Sequence, residues 1–447
     1  MKQGNQKSNI RMIRSILLMA IPLIIEQLVY QVQSLTDQAF LGNLETEYVS
    51  AVGAAQAPYG VTVNFIFGLS TGLVILISQL WGSKNREEIQ RYFKSSALYF
   101  SLISIAIFIF WMSAARPVLI FFQVDKRIVD YSVSYIQISA GYLFFMGIDI
   151  AIQSVLLGMG RTKPIMYAAI IKVVMNILIS WVLVFGYLGF PALYVAGAAI
   201  GTLVADILAC IFLTIYCIIF LRNDFMMWTE WSDVYRIEPF RKVIRLGIPA
   251  GLEFLLWHFS NLMLLRFVNG FSYLATGMYT LTYGLQCFAG VFYQGTCNAA
   301  LTMVGQAVGA GDKKRANSVF NSTILLNVTI IVAFAILFCI LPEQLLSIFS
   351  NDPELIHMGA GYMPFVALIM FPQSMNLICG SAIRAHKDTK WMLYSQMIGS
   401  TLIISMSWLF VEVIHMHMVA IYLTVFIDES IRGLVNYIYY RKKYEGK

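Results

Sequence analysis

Ile21-Pro22-Leu23-Ile24-Ile25-Glu26, near the start of the chain, returns as Ile248-Pro249-Ala250-Gly251-Leu252-Glu253, displaced by 227 residues. The same offset carries Gln79 and Gly82 onto Gln306 and Gly309. It also carries Ser154, Thr162 and Lys163 onto Ser381, Thr389 and Lys390. Matched places with one spacing, set among long apolar segments, mark a duplicated unit. Duplicated membrane units are mostly transporters.

Composition agrees. Hydrophobic residues make up 59% of the 447 residues and charged ones 12%, with a mean hydropathy of +0.71, which excludes an ordinary soluble globule. A helix needs about 20 residues to cross a bilayer core of about 30 Å. Twelve runs reach that length: 14–40, 50–80, 93–120, 132–158, 165–187 and 194–221, then 243–268, 276–307, 319–345, 355–385, 391–414 and 416–440. With both termini in the cytoplasm, 25 of the 31 Lys and Arg lie on the cytoplasmic side, as short inner loops require. The net charge of +7 is therefore a topology signal rather than a nucleic-acid footprint.

These features predict an all-α membrane protein with twelve transmembrane helices. Residues 1–221 form one six-helix lobe, 222–241 a cytoplasmic linker and 242–447 the second lobe. An even helix count per repeat relates the lobes by a pseudo-twofold along the membrane normal, with a central cavity between them. The first span has no small-residue cleavage pattern after it and reads as a retained anchor. The six cysteines lie within apolar runs without metal-ligand spacing and read as packing residues.

Ionisable groups inside membrane helices are costly and mark function by default. The first half offers Glu26, Asp37, Asp149, Lys172 and Asp206; the second offers Glu253, Asp428, Glu429 and Arg432. Glu26, Tyr30, Gln33 and Asp37 follow one another at steps of four, three and four, along one face of the first helix. The repeat of that stripe is Glu253, Trp257, Ser260 and Leu264, which keeps the acid near proline and lacks the counterpart of Asp37. The asymmetry assigns ion coupling to the first lobe and substrate shaping to the second. Asp149 with Lys172, and Asp428 with Arg432 at i, i+4, read as structural ion pairs. Glu26, Tyr30, Gln33, Glu253, Trp257, Met278, Tyr279 and Tyr283 are cavity candidates, suited to flat lipophilic cations through ring and thioether contacts.

Taken in order, several segments resemble the multidrug and toxic compound extrusion (MATE) family. They are Pro22 with Asp37 and Gly42, Ile-Ser-Gln-Leu-Trp-Gly at 77–82, Val-Gly-Gln-Ala-Val-Gly at 304–309, Gly-Arg-Thr-Lys-Pro at 160–164, Asp-Thr-Lys at 388–390 and Gly-Ala-Ala-Ile-Gly-Thr at 197–202. The DinF-type branch is the most similar. Its first-lobe cation site pairs an Asp on the first helix with an Asn and an Asp four residues apart on the fifth and a Thr on the sixth. The resemblance carries these onto Asp37, Asn176, Ser180 and Thr202. Ser180 departs from the pattern, since Asn176-Ile-Leu-Ile-Ser180-Trp181 stands where an acid followed by proline is expected. Asp206, one turn beyond Thr202, is the candidate replacement for that acid.

Burial disfavours a carboxylate's charge, while amide and hydroxyl partners or a bound cation favour it, so Asp37 is suited to exchange H+ or Na+. No cofactor is expected. No metal site is expected beyond sodium at Asp37, Asn176 and Thr202. No phosphate-binding loop or zinc helix is present. Gly68-Leu-Ser-Thr-Gly72 lies within an apolar run with no strand before it and is not a hydrolase elbow. The reading is therefore a monomeric secondary antiporter in the inner membrane. It exports lipophilic, mostly cationic compounds and has lipid, not nucleic acid, as its surroundings. A lipid-linked oligosaccharide or polar-lipid flippase and a membrane-embedded transferase are the alternatives; the first wants several free cations and the second clustered His or Asp.

Overall fold

The computed structural model describes residues 2–42, 44–221 and 235–445. Among these residues the chain is helical, with no strand. The first half forms α1 (Lys2–Gly42), α2 (Thr46–Gly82), α3 (Arg86–Phe121), α4 (Val129–Ala140), α5 (Leu143–Met159), α6 (Lys163–Phe185) and α7 (Tyr194–Phe220). The second forms α8 (Ile237–Asn269), α9 (Tyr273–Gly309), α10 (Lys313–Ile340), a short α11 (Pro342–Leu346), α12 (Pro353–Ala385), α13 (Thr389–Trp408) and α14 (Val419–Tyr440). Nine of the described helices are long and apolar enough to cross a membrane, and α4 with α5 makes a tenth. The expected spans 276–307 and 416–440 form α9 and α14, the first rich in glycine and threonine, the second carrying Asp428, Glu429 and Arg432.

Local chemistry sets the helix limits. Asn85, Ser272, Asp312 and Asp352 accept N–H groups of the first turn that follows each of them. Gly160 and Gly186 close α5 and α6 in the left-handed region, at φ +78° and +76°, where a side chain would be strained. Two expected spans come out differently. The fourth, 132–158, is broken into α4 and α5 with a bend of 51°. Gly141 and Tyr142 donate to Ile138 and Ser139, three residues back, so the α-ladder is interrupted there. The eleventh ends in a π-turn at Leu409–Val413. Of the expected linker, 222–234 lies outside the described residues, and its last five residues already belong to α8.

Contacts divide the chain into two compact units, Ile25–Ile248 and Met1–Ile24 with Pro249–Lys447. The divisions fall inside α1 and α8, two residues after Pro22 and immediately before Pro249. Proline cannot donate to the carbonyl four residues back, here Leu18 or Arg245, and weakens the helix at that turn. In the 25–248 unit, Phe93, Phe100, Trp111, Leu73 and Met146 share one core. One close crossing is between α2 and α8: a Cβ on Gly72 would strike the Val243 carbonyl, and one on Gly247 the Leu69 carbonyl. In the other unit, Met278, Phe338, Met363, Met370 and Tyr422 pack together. All six cysteines are unpaired. Four are buried, and Cys287 and Cys339 are exposed on helix faces.

The chain's last turn is anchored on the loop after α12. Asp388 Oδ2 accepts from Tyr439 Oη at 2.6 Å, Lys443 Nζ at 2.6 Å and Tyr444 Oη at 3.0 Å. Partial burial pushes the Asp388 pKa up, but these bonds outweigh it and hold the carboxyl below its ordinary 3.8. A depressed folded pKa stabilises the folded form above the unfolded value, and the contribution is lost as pH falls through the folded value. The anchorage should therefore be complete at neutral pH and weaken only below about pH 4. Asp388→Asn should loosen it at neutral pH, seen as faster tryptic cleavage at Arg441 to Lys443; equal cleavage in variant and wild type would contradict it.

Candidate functional site

The residues that gather around Asp37 lie in the 25–248 unit, on α1, α6 and α7. The last two helices pair closely along their length, because α7 presents Gly197 and Gly201 to α6. A Cβ on Gly197 would lie 2.7 Å from the Leu183 carbonyl carbon, and one on Gly201 would strike Ser180. Helices in a bilayer approach this closely only through such small residues. The closeness brings Asn176 within reach of Thr202. It also sets Ser180, which stands where an acid was expected, directly against Gly201.

Asn176 is fully buried, and one amide orientation satisfies its neighbours. Nδ2 donates to Asp37 Oδ1 at 3.2 Å; Oδ1 accepts from the Thr202 backbone N–H at 3.3 Å and lies 3.1 Å from Thr202 Oγ1. That hydroxyl is also 3.1 Å from the Ala198 carbonyl. Ser180 Oγ is 3.4 Å from the same amide. The structure thus brings Asp37, Asn176, Ser180 and Thr202 together. Asp37, partly open, is held by a neutral donor.

Asp206, one turn beyond Thr202 on α7, has a cation of its own. Its Oδ1 meets Lys172 Nζ at 2.5 Å, and the same ammonium lies 4.8 Å from the centre of the Tyr30 ring. Lys172 therefore pairs with Asp206 and not with Asp149, as the sequence led us to expect. Asp149 Oδ2 accepts from Tyr142, at the α4–α5 break, and from Gln153 Nε2 at 2.8 Å. Glu26 lies within electrostatic reach of Lys172 and Asp149, and Gln33 is buried one turn before Asp37.

In the other unit, Arg384 Nη1 donates to both oxygens of Glu253, at 2.8 and 3.1 Å. Arg432 pairs with Asp428, as the i, i+4 spacing predicted, and also with Glu429 at 3.0 Å and Gln396 Oε1 at 2.9 Å. Glu429 accepts in turn from Asn376 at 2.8 Å. Tyr279 and Tyr283 stack at 5.8 Å, and Trp257 is partly open beside His258. Met278 is a core residue instead, fully buried with its sulfur accepting from Tyr422. Sequence reasoning missed Arg384 by counting it with the loop lysines. Its position inside the last turn of an apolar run was the available signal.

A family model described as MatE matches residues 22–182 and again 249–409, the two matches displaced by the same 227 residues as the sequence repeat. The chain belongs to the MATE family. This MATE protein is 24% identical to the uncharacterized transporter YisQ of Bacillus subtilis (strain 168), over 94% of its own length and 92% of that protein's. It is 25% identical to the probable multidrug resistance protein NorM of Pasteurella multocida (strain Pm70), over 85% of its length and 82% of that protein's. Its fold matches that of an outward-facing multidrug resistance MATE family transporter of the MOP superfamily, with a TM-score of 0.89, 16% identity and coverage of 97% and 96%. It is an integral membrane protein of a transporter family.

Two outcomes test this geometry. Asn176→Leu leaves Asp37 without its donor and should lower the initial transport rate in proteoliposomes at least tenfold, the scale of one hydrogen bond to a charged group; a wild-type rate would separate Asn176 from the site. Asp206→Asn strands a buried ammonium and should cut the yield of folded protein on size-exclusion chromatography, while Asp206→Asn with Lys172→Met restores it. Failure of the double variant to recover would argue against a dedicated pair.

Proposed function

We propose that the protein is a secondary active antiporter that exports lipophilic, mostly cationic organic compounds in exchange for H+ or Na+. It works by alternating access between lobes 1–221 and 242–447, joined by 222–241, in the inner membrane with both termini cytoplasmic. The observation that carries this reading is the kind of partner each acid has. Asp206, Glu253, Asp428 and Glu429 are matched with lysine or arginine, counter-ions that cannot leave. Asp37 is bonded to a neutral amide and is partly open, whereas Asp149, the other acid with neutral donors, is buried against Tyr142 and Gln153, so the counter-ion of Asp37 is the exchangeable one. The naming of NorM as a probable multidrug resistance protein supports the substrate class.

The driving force is adequate. Each charge moving inward through 100 mV releases about 2.3 kcal/mol, which sustains a gradient of tens of fold for a neutral substrate, since about 1.4 kcal/mol is tenfold. For a monovalent cation exchanged one for one, the electrical parts cancel and only the ion's concentration gradient drives export. The flippase alternative is disfavoured because Lys172, Arg384 and Arg432 are already bound to carboxylates and not free for a lipid phosphate.

Ethidium efflux from proteoliposomes, with proton and sodium gradients imposed separately, tests the proposal. One of the two gradients should drive efflux, and Asp37→Asn should abolish it with membrane insertion intact. Efflux indifferent to both gradients, or undiminished in the variant, would overturn the antiport reading.

A further inference from the structure

Where α13 begins and α14 ends, the Trp391 ring lies on Tyr439 with centroids 3.7 Å apart and planes 5° from parallel, and its Nε1 donates to Asn436 at 2.8 Å. Beside this pair is a depression of about 460 Å³ lined by Trp391, Val435, Ile438, Tyr439, Lys442 and Lys443. Apart from the two lysines, its lining is aromatic and aliphatic. Val435 and Ile438 are 42% and 43% exposed, and they continue along α14 into exposed Ile431 and Leu434, with exposed Tyr394, Met397 and Ile398 on α13. In a membrane protein such a face meets acyl chains.

The rim is cationic. Lys443 is fixed by Asp388 and lies 4.8 and 5.5 Å from the centres of the Tyr439 and Tyr444 rings. Lys442 has no hydrogen-bond or ion-pair partner among the described residues. No acid lines the depression. The acids near it are already engaged: Asp388 receives three donors, and Glu445 pairs with Arg441. An uncompensated ammonium stands at the point where aliphatic walls give way to the chain's polar end.

We propose that this depression binds one anionic phospholipid, its phosphate at Lys442 with Lys443 behind it, and its glycerol and upper acyl chain along Trp391, Val435 and Ile438. A lipid fits where a free phosphate does not, because most of the lining is apolar and opens onto the lipid-facing side of α13 and α14. A zwitterionic headgroup would bring its own cation to a rim that already has two. The bound lipid would share Lys443 with the Asp388 anchorage, four residues beyond Arg384, and so would reinforce the turn that follows α12.

The experiment is native mass spectrometry of the full-length protein, exposed to equal amounts of phosphatidylglycerol and phosphatidylcholine. Wild type should retain phosphatidylglycerol preferentially. Lys442→Gln should reduce the preference about fivefold, the share of one lysine at a membrane surface, and Trp391→Ala should reduce retention of the lipid. Lys314→Gln, a lysine distant in sequence from the depression, should leave both unchanged. Equal retention of the two lipids by wild type, or a preference untouched by Lys442→Gln, would overturn the proposal. So would competition by inorganic phosphate alone, which would assign the site to the free anion.

Discussion

A charge placed inside a bilayer must be neutralised where it stands, and this constraint organises both halves of the molecule. Lys172 is neutralised by Asp206, Arg384 by Glu253, and Arg432 by Asp428 and Glu429. The partners are fixed to the backbone, so these groups hold helices in place without taking part in exchange. Breaking such a pair leaves an uncompensated charge, which costs far more than the pair contributes. Asp37 and Asp149 have neutral donors instead, and of the two only Asp37 is partly open. The proposal that it is the coupling acid rests on what surrounds the other acids as much as on its own contacts.

The duplication shows how the two halves came to solve the same problem differently. At the 227-residue offset, Lys172 corresponds to Gly399. A Cβ on Gly399 would lie 2.5 Å from Arg432 Nε and 2.6 Å from Asp428 Oδ1. The second half thus lacks the cation on its fifth repeat helix and uses the vacated volume for an arginine from the sixth. Leu157 corresponds to Arg384, so the acid near proline has a fixed counter-ion in the second half and none at that position in the first. Leu264 stands for Asp37. On the proposed reading the exchangeable charge lies in one repeat, while the acids of the other are locked in ion pairs.

Much of this was legible in the chain. Helix positions and the repeat followed from hydropathy and spacing, because a bilayer forces one secondary structure on a long apolar run. The grouping of Asp37 with Asn176, Ser180 and Thr202 followed from family resemblance, and close helix contact through Gly197 and Gly201 accounts for it. The partner of Lys172 was not legible. Glu26, Asp149 and Asp206 are all near enough to act on it, and periodicity on one helix carries no information about which neighbour a long flexible side chain reaches. The break at Gly141-Tyr142 was hidden for a similar reason: apolar composition continues through it, while the hydrogen-bond pattern changes. The anchorage of the last turn depends on Asp388 meeting residues more than fifty positions away, a contact that only packing determines.

The proline repeat, from which the fold could first be read, also limits how Asp37 can act. Residues of α1 up to Ile24 belong to one compact unit and those from Ile25 to the other, so the helix itself is a covalent link between them. Asp37 lies 15 residues beyond Pro22, about 22 Å along a regular helix. A change in its charge alters the bond to Asn176 locally, and only a stiff intervening helix could carry that change as far as the proline. Between them the stripe holds Tyr30, facing Lys172, and buried Gln33. These side chains tie the same stretch to the interior of its unit, which keeps it from bending where the ladder is intact. The turn at Pro22, which already lacks a bond, is where α1 resists bending least.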